Sequence, residues 1–298
     1  VKISKKNTKN QKFTCNFLGW LNNYNQKLIK MENNANKRLN DKGINNKETK
    51  ETTNTTKNEV IIECKNLTKD FDGFNALQNL NLTVYKGEIF AFIGANGAGK
   101  TTTMNILVGL VKPSEGDAII NRYSIVKNPI DVKRSIGFLP ESVYLYGSLT
   151  ARQNVHYIAD LNGGVEEKKI DEVLDKVGLQ SAKDRKTGTF SKGMRQRLGV
   201  ACVLVKNPKV LFLDEPTSGL DPTGKTDIQN LLRTLSKEGM TIFYSSHILG
   251  EIEDIANRVG ILHNGKLKRI LEGKDIEKVA EIYKEITTIP SAIPKTLV

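Results

Sequence analysis

Apolar and polar positions change phase several times along the chain, and the changes divide it into elements. VIIECKNLTKDF and ALQNLNLTVYKGE alternate the two kinds of residue and predict short amphipathic strands of an antiparallel layer. EIFAFI, Glu88 to Ile93, is instead an unbroken apolar run, the pattern of a strand buried on both faces of a parallel sheet. It ends in a glycine-rich loop, and TTTMNILVGL then predicts a helix. Further strands are predicted at Ser135 to Phe138, Lys209 to Asp214, Met240 to Ser245 and Val259 to Leu262, the last closed by an Asn264-Gly265 hairpin turn. Between the first two of these the period becomes helical. Ile170, Val173, Leu174 and Val177 fall at i, i+3, i+4, i+7, with Gly178 as the stop. The chain therefore reads as α/β: a parallel-sheet core, an antiparallel β subdomain, and an inserted α-helical subdomain over about residues 141 to 206. It has no long heptads and no internal repeat.

Residues 1–58 lack either period outside one patch. They hold fourteen Asn and twelve Lys, and are expected to be a disordered tail. The patch, Phe13 to Met31, aligns Phe13, Phe17, Leu21 and Leu28 beside Lys27 and Lys30. A surface anchor for a membrane is one reading. An incidental short helix is another, as is a true start at Met31, and the Asn-rich interruptions of the apolar face favour these over the anchor. Residues 276–298 are expected to be a short C-terminal extension.

The tail also corrects the charge. Of the net +12, thirteen basic against four acidic residues lie in the first 58, leaving 32 against 29 over the rest. The folded part is thus near neutral, which weighs against a nucleic-acid partner. Cys15, Cys64 and Cys202 are odd in number and lack CxxC spacing, so they predict neither a disulfide framework nor a zinc site. The longest apolar runs, such as Val200 to Val205, fall far short of the roughly 20 residues a spanning helix needs. Any membrane role is expected to come through a partner.

Candidate chemistry sits at the strand ends. GANGAGKTT, Gly94 to Thr102, follows a strand and opens a helix, the context of a phosphate-binding loop. Gly94, Gly97 and Gly99 let the backbone of Ala95, Asn96 and Ala98 turn inward, Lys100 reaches terminal phosphates, and Thr101, beside Thr102, offers a hydroxyl to Mg2+. Asp214 and Glu215 end another apolar strand. Beside a nucleotide, Asp214 would serve the metal shell and Glu215 would polarise a water as general base. His247 ends the MTIFYS strand, positioned to touch a terminal phosphate. In TFSKGMRQRL, Ser191 is a plausible helix cap, so Lys192, Gly193 and Met194 begin a helix whose free N–H groups and positive end want an anion.

Taken together, these motifs resemble the nucleotide-binding subunit of ABC (ATP-binding cassette) transporters over about residues 60 to 275. GANGAGKTT resembles Walker A, VLFLDEP resembles Walker B with its catalytic glutamate, and SGLDP, with Asp221, resembles the D-loop. His247 resembles the switch histidine and TFSKGMRQRL the signature motif. The resemblance implies a P-loop NTPase (RecA-like) fold, ATP and Mg2+ as cofactors, ATP hydrolysis, and an adenine stack on Phe71, for which a core position is the alternative. It further implies a head-to-tail pair of cassettes, as homodimer or paralogue heterodimer. Each signature, Ser191 to Met194, would cap the nucleotide held by the other subunit, which answers the need for a second anion.

Two motifs depart from the family pattern. Lys192 and Met194 replace a glycine and a glutamine of the usual signature, and Glu141 stands where a metal-approaching glutamine is usual. Both departures resemble those of the ABC-2 group, whose separate transmembrane permease implies export and a place at the cytoplasmic face of the membrane. The rival reading is a soluble ABC ATPase acting on nucleic acid or ribosomes. One cassette without coiled coils or zinc spacing speaks against it. A regulator that binds ATP without turnover would lack Lys100, Glu215 or His247.

Overall fold

The computed structural model describes residues 59–288. The tail, with its Phe13 to Met31 patch and Cys15, lies outside them. The chain opens with strands β1 (Val60–Phe71) and β2 (Phe74–Tyr85), an antiparallel hairpin. Asp72 and Gly73 make its turn with positive φ, and the Asp70 carboxylate accepts the Gly73 N–H at 2.8 Å. Strand β3 (Ile89–Ile93) leads through the glycine loop into helix α1 (Lys100–Leu107). Strands β4 (Glu115–Ile120) and β5 (Tyr123–Ser124) then extend the hairpin to a four-stranded sheet ordered β2-β1-β4-β5.

A short helix α2 (Pro129–Ser135) precedes β6 (Ile136–Leu139), so the predicted strand starts one residue later, Ser135 being the last helical residue. The insertion supplies α3 (Ala151–Asp160), α4 (Glu167–Lys176) and α5 (Lys192–Leu204). A full capping box starts α3: Thr150 accepts from Gln153 N–H while Gln153 Oε1 accepts from Thr150 N–H. Strand β7 (Val210–Asp214), helix α6 (Pro222–Lys237), strand β8 (Thr241–Ser246) and the hairpin β9 (Arg258–His263) and β10 (Lys266–Glu272) follow. The last described element is helix α7 (Val279–Thr288).

The second sheet is ordered β10-β9-β3-β8-β7-β6, with β10 antiparallel to β9 and the rest parallel. Every residue of β3, β7 and β8 is buried, their apolar centres as a two-faced parallel sheet requires and the polar Asp214, Thr241, Ser245 and Ser246 at the ends with them. Their period of two divides the interior. Ile89, Ala91 and Ile93 of β3, Leu211 and Leu213 of β7, and Ile242 and Tyr244 of β8 face the core built with α3 to α6. Phe90, Phe92, Phe212 and Phe243 face the other core, against α1 and the antiparallel sheet. There Phe243 lies with its centroid 5.5 Å from each of the other three rings, an arrangement in which removing one buried ring costs about 3–5 kcal/mol.

This order decides where the chemistry sits. Because β3, β8 and β7 are parallel neighbours, their carboxyl ends, and the loops after Ile93, Ser246 and Asp214, emerge side by side on one edge.

Candidate functional site

The loop after β3 has little freedom. Gly99 sits at φ +108 as the residue before α1, and a Cβ there would come within 2.5 Å of the Ala76 carbonyl. At Gly94 a Cβ would meet the Leu262 carbonyl at 2.5 Å. The backbone is therefore pressed against β2 on one side and the β9–β10 turn on the other, with Gly265 N–H donating to Ala98 O at 2.9 Å. From α1, Thr103 bonds back to Gly99 O at 2.9 Å. Thr101 is solvent-exposed.

Lys100 is only 5% exposed. Its ammonium donates to Gly94 O at 2.7 Å and Ala95 O at 3.3 Å, and stands 3.5 Å from Glu215 Oε1. The other oxygen of Glu215 lies 2.7 Å from His247 Nδ1. One carboxylate thus bridges the phosphate loop and the end of β8. Glu215 has φ +47, an uncommon conformation for a non-glycine residue and one found where function demands a particular side-chain direction.

Asp214 is also 5% exposed, and what holds it is Ser245 of the adjacent strand. The Ser245 hydroxyl donates to Asp214 Oδ1 at 2.5 Å and accepts the Glu215 N–H at 3.0 Å, so one side chain fixes both acidic residues. Beyond His247, Glu251 receives Thr217 Oγ1 at 2.5 Å and Lys225 Nζ at 2.7 Å, joining the segment after β8 to the loop after Glu215 and to α6. Burial, and behind it the nearby Glu251 charge, push the Tyr244 hydroxyl far above its ordinary pKa.

The remaining sequence candidates lie around this centre. Ser191 does cap α5: its hydroxyl accepts Met194 N–H at 3.1 Å. Lys192 turns to its own chain, donating to Ser218 O at 2.6 Å. Glu141 Oε1 accepts the Ser218 hydroxyl at 3.3 Å. Asp221 caps α6 by accepting Gly224 N–H at 3.3 Å, with Pro222 in the first turn. Phe71 is not a core residue. It is 44% exposed at the β1–β2 tip, opposite Phe74 at 66%, with the Lys69 ammonium 4.7 Å from its ring centre.

A phosphate loop, a carboxylate pair and a histidine on adjacent carboxyl ends of a parallel sheet agree with what comparison finds. The family profile of ABC transporters matches residues 77–218. The bacitracin transport ATP-binding protein BcrA of Bacillus licheniformis is 43% identical over 227 residues, 76% of this chain and 74% of that protein. The chain belongs to the ABC transporter family, as an ATP-binding subunit. The lantibiotic transport ATP-binding protein SrtF of Streptococcus pyogenes is 39% identical over 75% of this chain and 96% of its own. Among solved structures, an ATP-binding subunit of an ABC transporter superposes with TM-score 0.68 at 31% identity, covering 76% of this chain and 99% of that one. The ADP- and Pi-bound dimer of the ATP-binding cassette MJ0796 does so with TM-score 0.63 at 28% identity, covering 71% and 98%.

Like its family, this ABC subunit is an ATPase that powers transport, and the nucleic-acid alternative is not supported. No helix among the described residues is long and apolar enough to cross a membrane. Sequence reading missed three contributors to the site. Ser245 and Glu251 sit in SSHILGE, where only the histidine carries a motif. Tyr283 of α7 is the third: burial raises the pKa of its hydroxyl, which lies close to the Ala95 backbone.

Proposed function

We propose that Glu215 polarises the water that attacks the terminal phosphate of ATP, with Lys100 and His247 as its flanking partners. The observation that carries this reading is the bridge itself. The Glu215 carboxylate meets the loop lysine with one oxygen and His247 with the other, at 3.5 and 2.7 Å. A base fixed at both oxygens and on a strained backbone is oriented before substrate arrives, which is where general-base catalysis gains its roughly 100- to 10,000-fold. The N–H groups of residues 94–102 and the Lys100 ammonium bind the phosphates, and exposed Phe71 offers a face to adenine.

Mg2+ fits the donors present. It takes one or two carboxylates together with phosphate oxygens and water rather than an all-protein cage, and the described residues contain no cluster of three or more ligating side chains. Asp214 and Thr101 would hold it, and it would supply charge neutralisation at the phosphates. Asp214 is kept in place by Ser245. Glu141 is held through Ser218 and would approach the metal from the loop after β6.

Of the signature residues, Ser191, Gly193 and Met194 at the start of α5 act on the nucleotide of a second cassette. The relative solved as a dimer supports this pairing. Asp221, at the start of α6, belongs to the same interface. The pair, two copies or this chain with a paralogue, couples to a separate permease at the cytoplasmic face and drives export. The relatives named for bacitracin and lantibiotic transport support a cargo of that kind. Glu215→Gln tests the core of the reading: turnover should fall at least 100-fold while ATP binding persists and a dimer accumulates on gel filtration. Wild-type turnover in that variant rejects it.

A further inference from the structure

Ser218 is held at three atoms by three different parts of the chain. Its N–H donates to Glu215 O at 3.0 Å, its hydroxyl to Glu141 Oε1 at 3.3 Å, and its carbonyl accepts the Lys192 ammonium at 2.6 Å. The lysine lies so near that a Cβ on Gly219 would meet Nζ at 2.4 Å. Glu141 and Lys192 are positions at which this chain departs from the family pattern, and they bear opposite charges on the same serine.

A lysine in the first turn of α5 is poorly placed for its helix, whose N-terminal end is already positive. The Ser218 carbonyl answers that charge at close range, and the Glu141 carboxylate adds attraction across the same residue. Neither contact involves the phosphate loop. Both end on the residue that is hydrogen-bonded to Glu215, and Thr217, the next residue back, is tied to Glu251. The segment from Glu215 to Asp221 is thereby fixed from the insertion as well as from the sheet.

We infer that Lys192 and Glu141 form a paired clamp on Ser218 that positions the catalytic segment and so sets the aim of Glu215. Lys192 is a positioning residue here, acting through Ser218 within its own subunit rather than on phosphate. The inference rests on the proposed role of Glu215.

The test is steady-state ATPase kinetics on the full chain at a concentration that permits pairing, for Lys192→Met, Lys192→Arg, Ser218→Ala and Glu215→Gln. Lys192→Met keeps the stem and loses the donor. Losing one such hydrogen bond lowers kcat about three- to tenfold while KM for ATP stays within about twofold. Lys192→Arg, which still donates to the carbonyl, restores most of the loss. Ser218→Ala, which removes only the hydroxyl facing Glu141, gives a smaller fall confined to kcat. An unchanged kcat in Lys192→Met, a raised KM at constant kcat, or failure of the arginine to rescue each overturns the clamp. If Glu215→Gln is inactive while Lys192→Met is normal, the clamp alone falls; if Glu215→Gln turns over normally, the reading beneath it falls too.

Discussion

Replacing Ser245 with alanine removes a single oxygen atom that two acidic residues share. The side chain is fully buried, so no water takes its place. The hydroxyl donates to Asp214 Oδ1 at 2.5 Å, and a hydrogen bond to a charged group is worth about 1.5–3 kcal/mol. Its second role is as acceptor for Glu215 N–H at 3.0 Å, and leaving that donor without a partner adds about 1 kcal/mol. Relaxation of the strand recovers part of the sum, so the expected loss is about 2–3 kcal/mol, a fall in Tm of about 5–10 °C for a fold of this size. Activity should suffer beyond stability. With Asp214 and the Glu215 backbone both released, kcat at saturating ATP should drop about tenfold or more at a temperature where the variant is still folded. Urea titration followed by circular dichroism measures the first quantity, and phosphate release the second. A loss below about 0.5 kcal/mol together with wild-type kcat would refute the idea that this hydroxyl organises the site.

Other expected outcomes concern the loop and the cysteines. Gly99→Ala places a Cβ 2.5 Å from the Ala76 carbonyl at φ +108, and should cost about 2–4 kcal/mol and abolish binding of a fluorescent ATP analogue; normal binding would show that the loop yields. Burial pushes the thiols of Cys64 and Cys202 up to about 12. The thiolate is therefore scarce at pH 8, and mass spectrometry should find both cysteines unmodified by iodoacetamide in the folded chain and alkylated in urea. Equal labelling in both states would contradict their burial.

Legibility followed burial. Strands β3, β7 and β8 could be read because their central residues, buried on both faces, are apolar, and the site residues sit at or just after their carboxyl ends. The hairpin turn at Gly265 and the α4 face were legible for equally local reasons. Strand β4, EGDAII, shows little pattern, since its first three residues, Glu115, Gly116 and Asp117, are exposed or half-buried. Helix α6 carries Ile228, Leu231, Leu232 and Leu235 in phase after Pro222, signals as good as those of α4. Contacts that join distant segments were not legible at all. Nothing local says that Ser245 serves Asp214, 31 residues away, or that Lys192 answers Ser218, 26 residues on. An exposed Phe71 and a buried one likewise look alike until the hairpin tip is placed.

Helix α7 is the last described element, yet it packs Ile282, Tyr283 and Ile286 on the sheet core, with the Tyr283 hydroxyl close to the Ala95 backbone. This helix and the strands that carry the candidate site thus share one apolar core. A load that tilts this helix is therefore borne first by the close-packed interior beneath β3, β7 and β8.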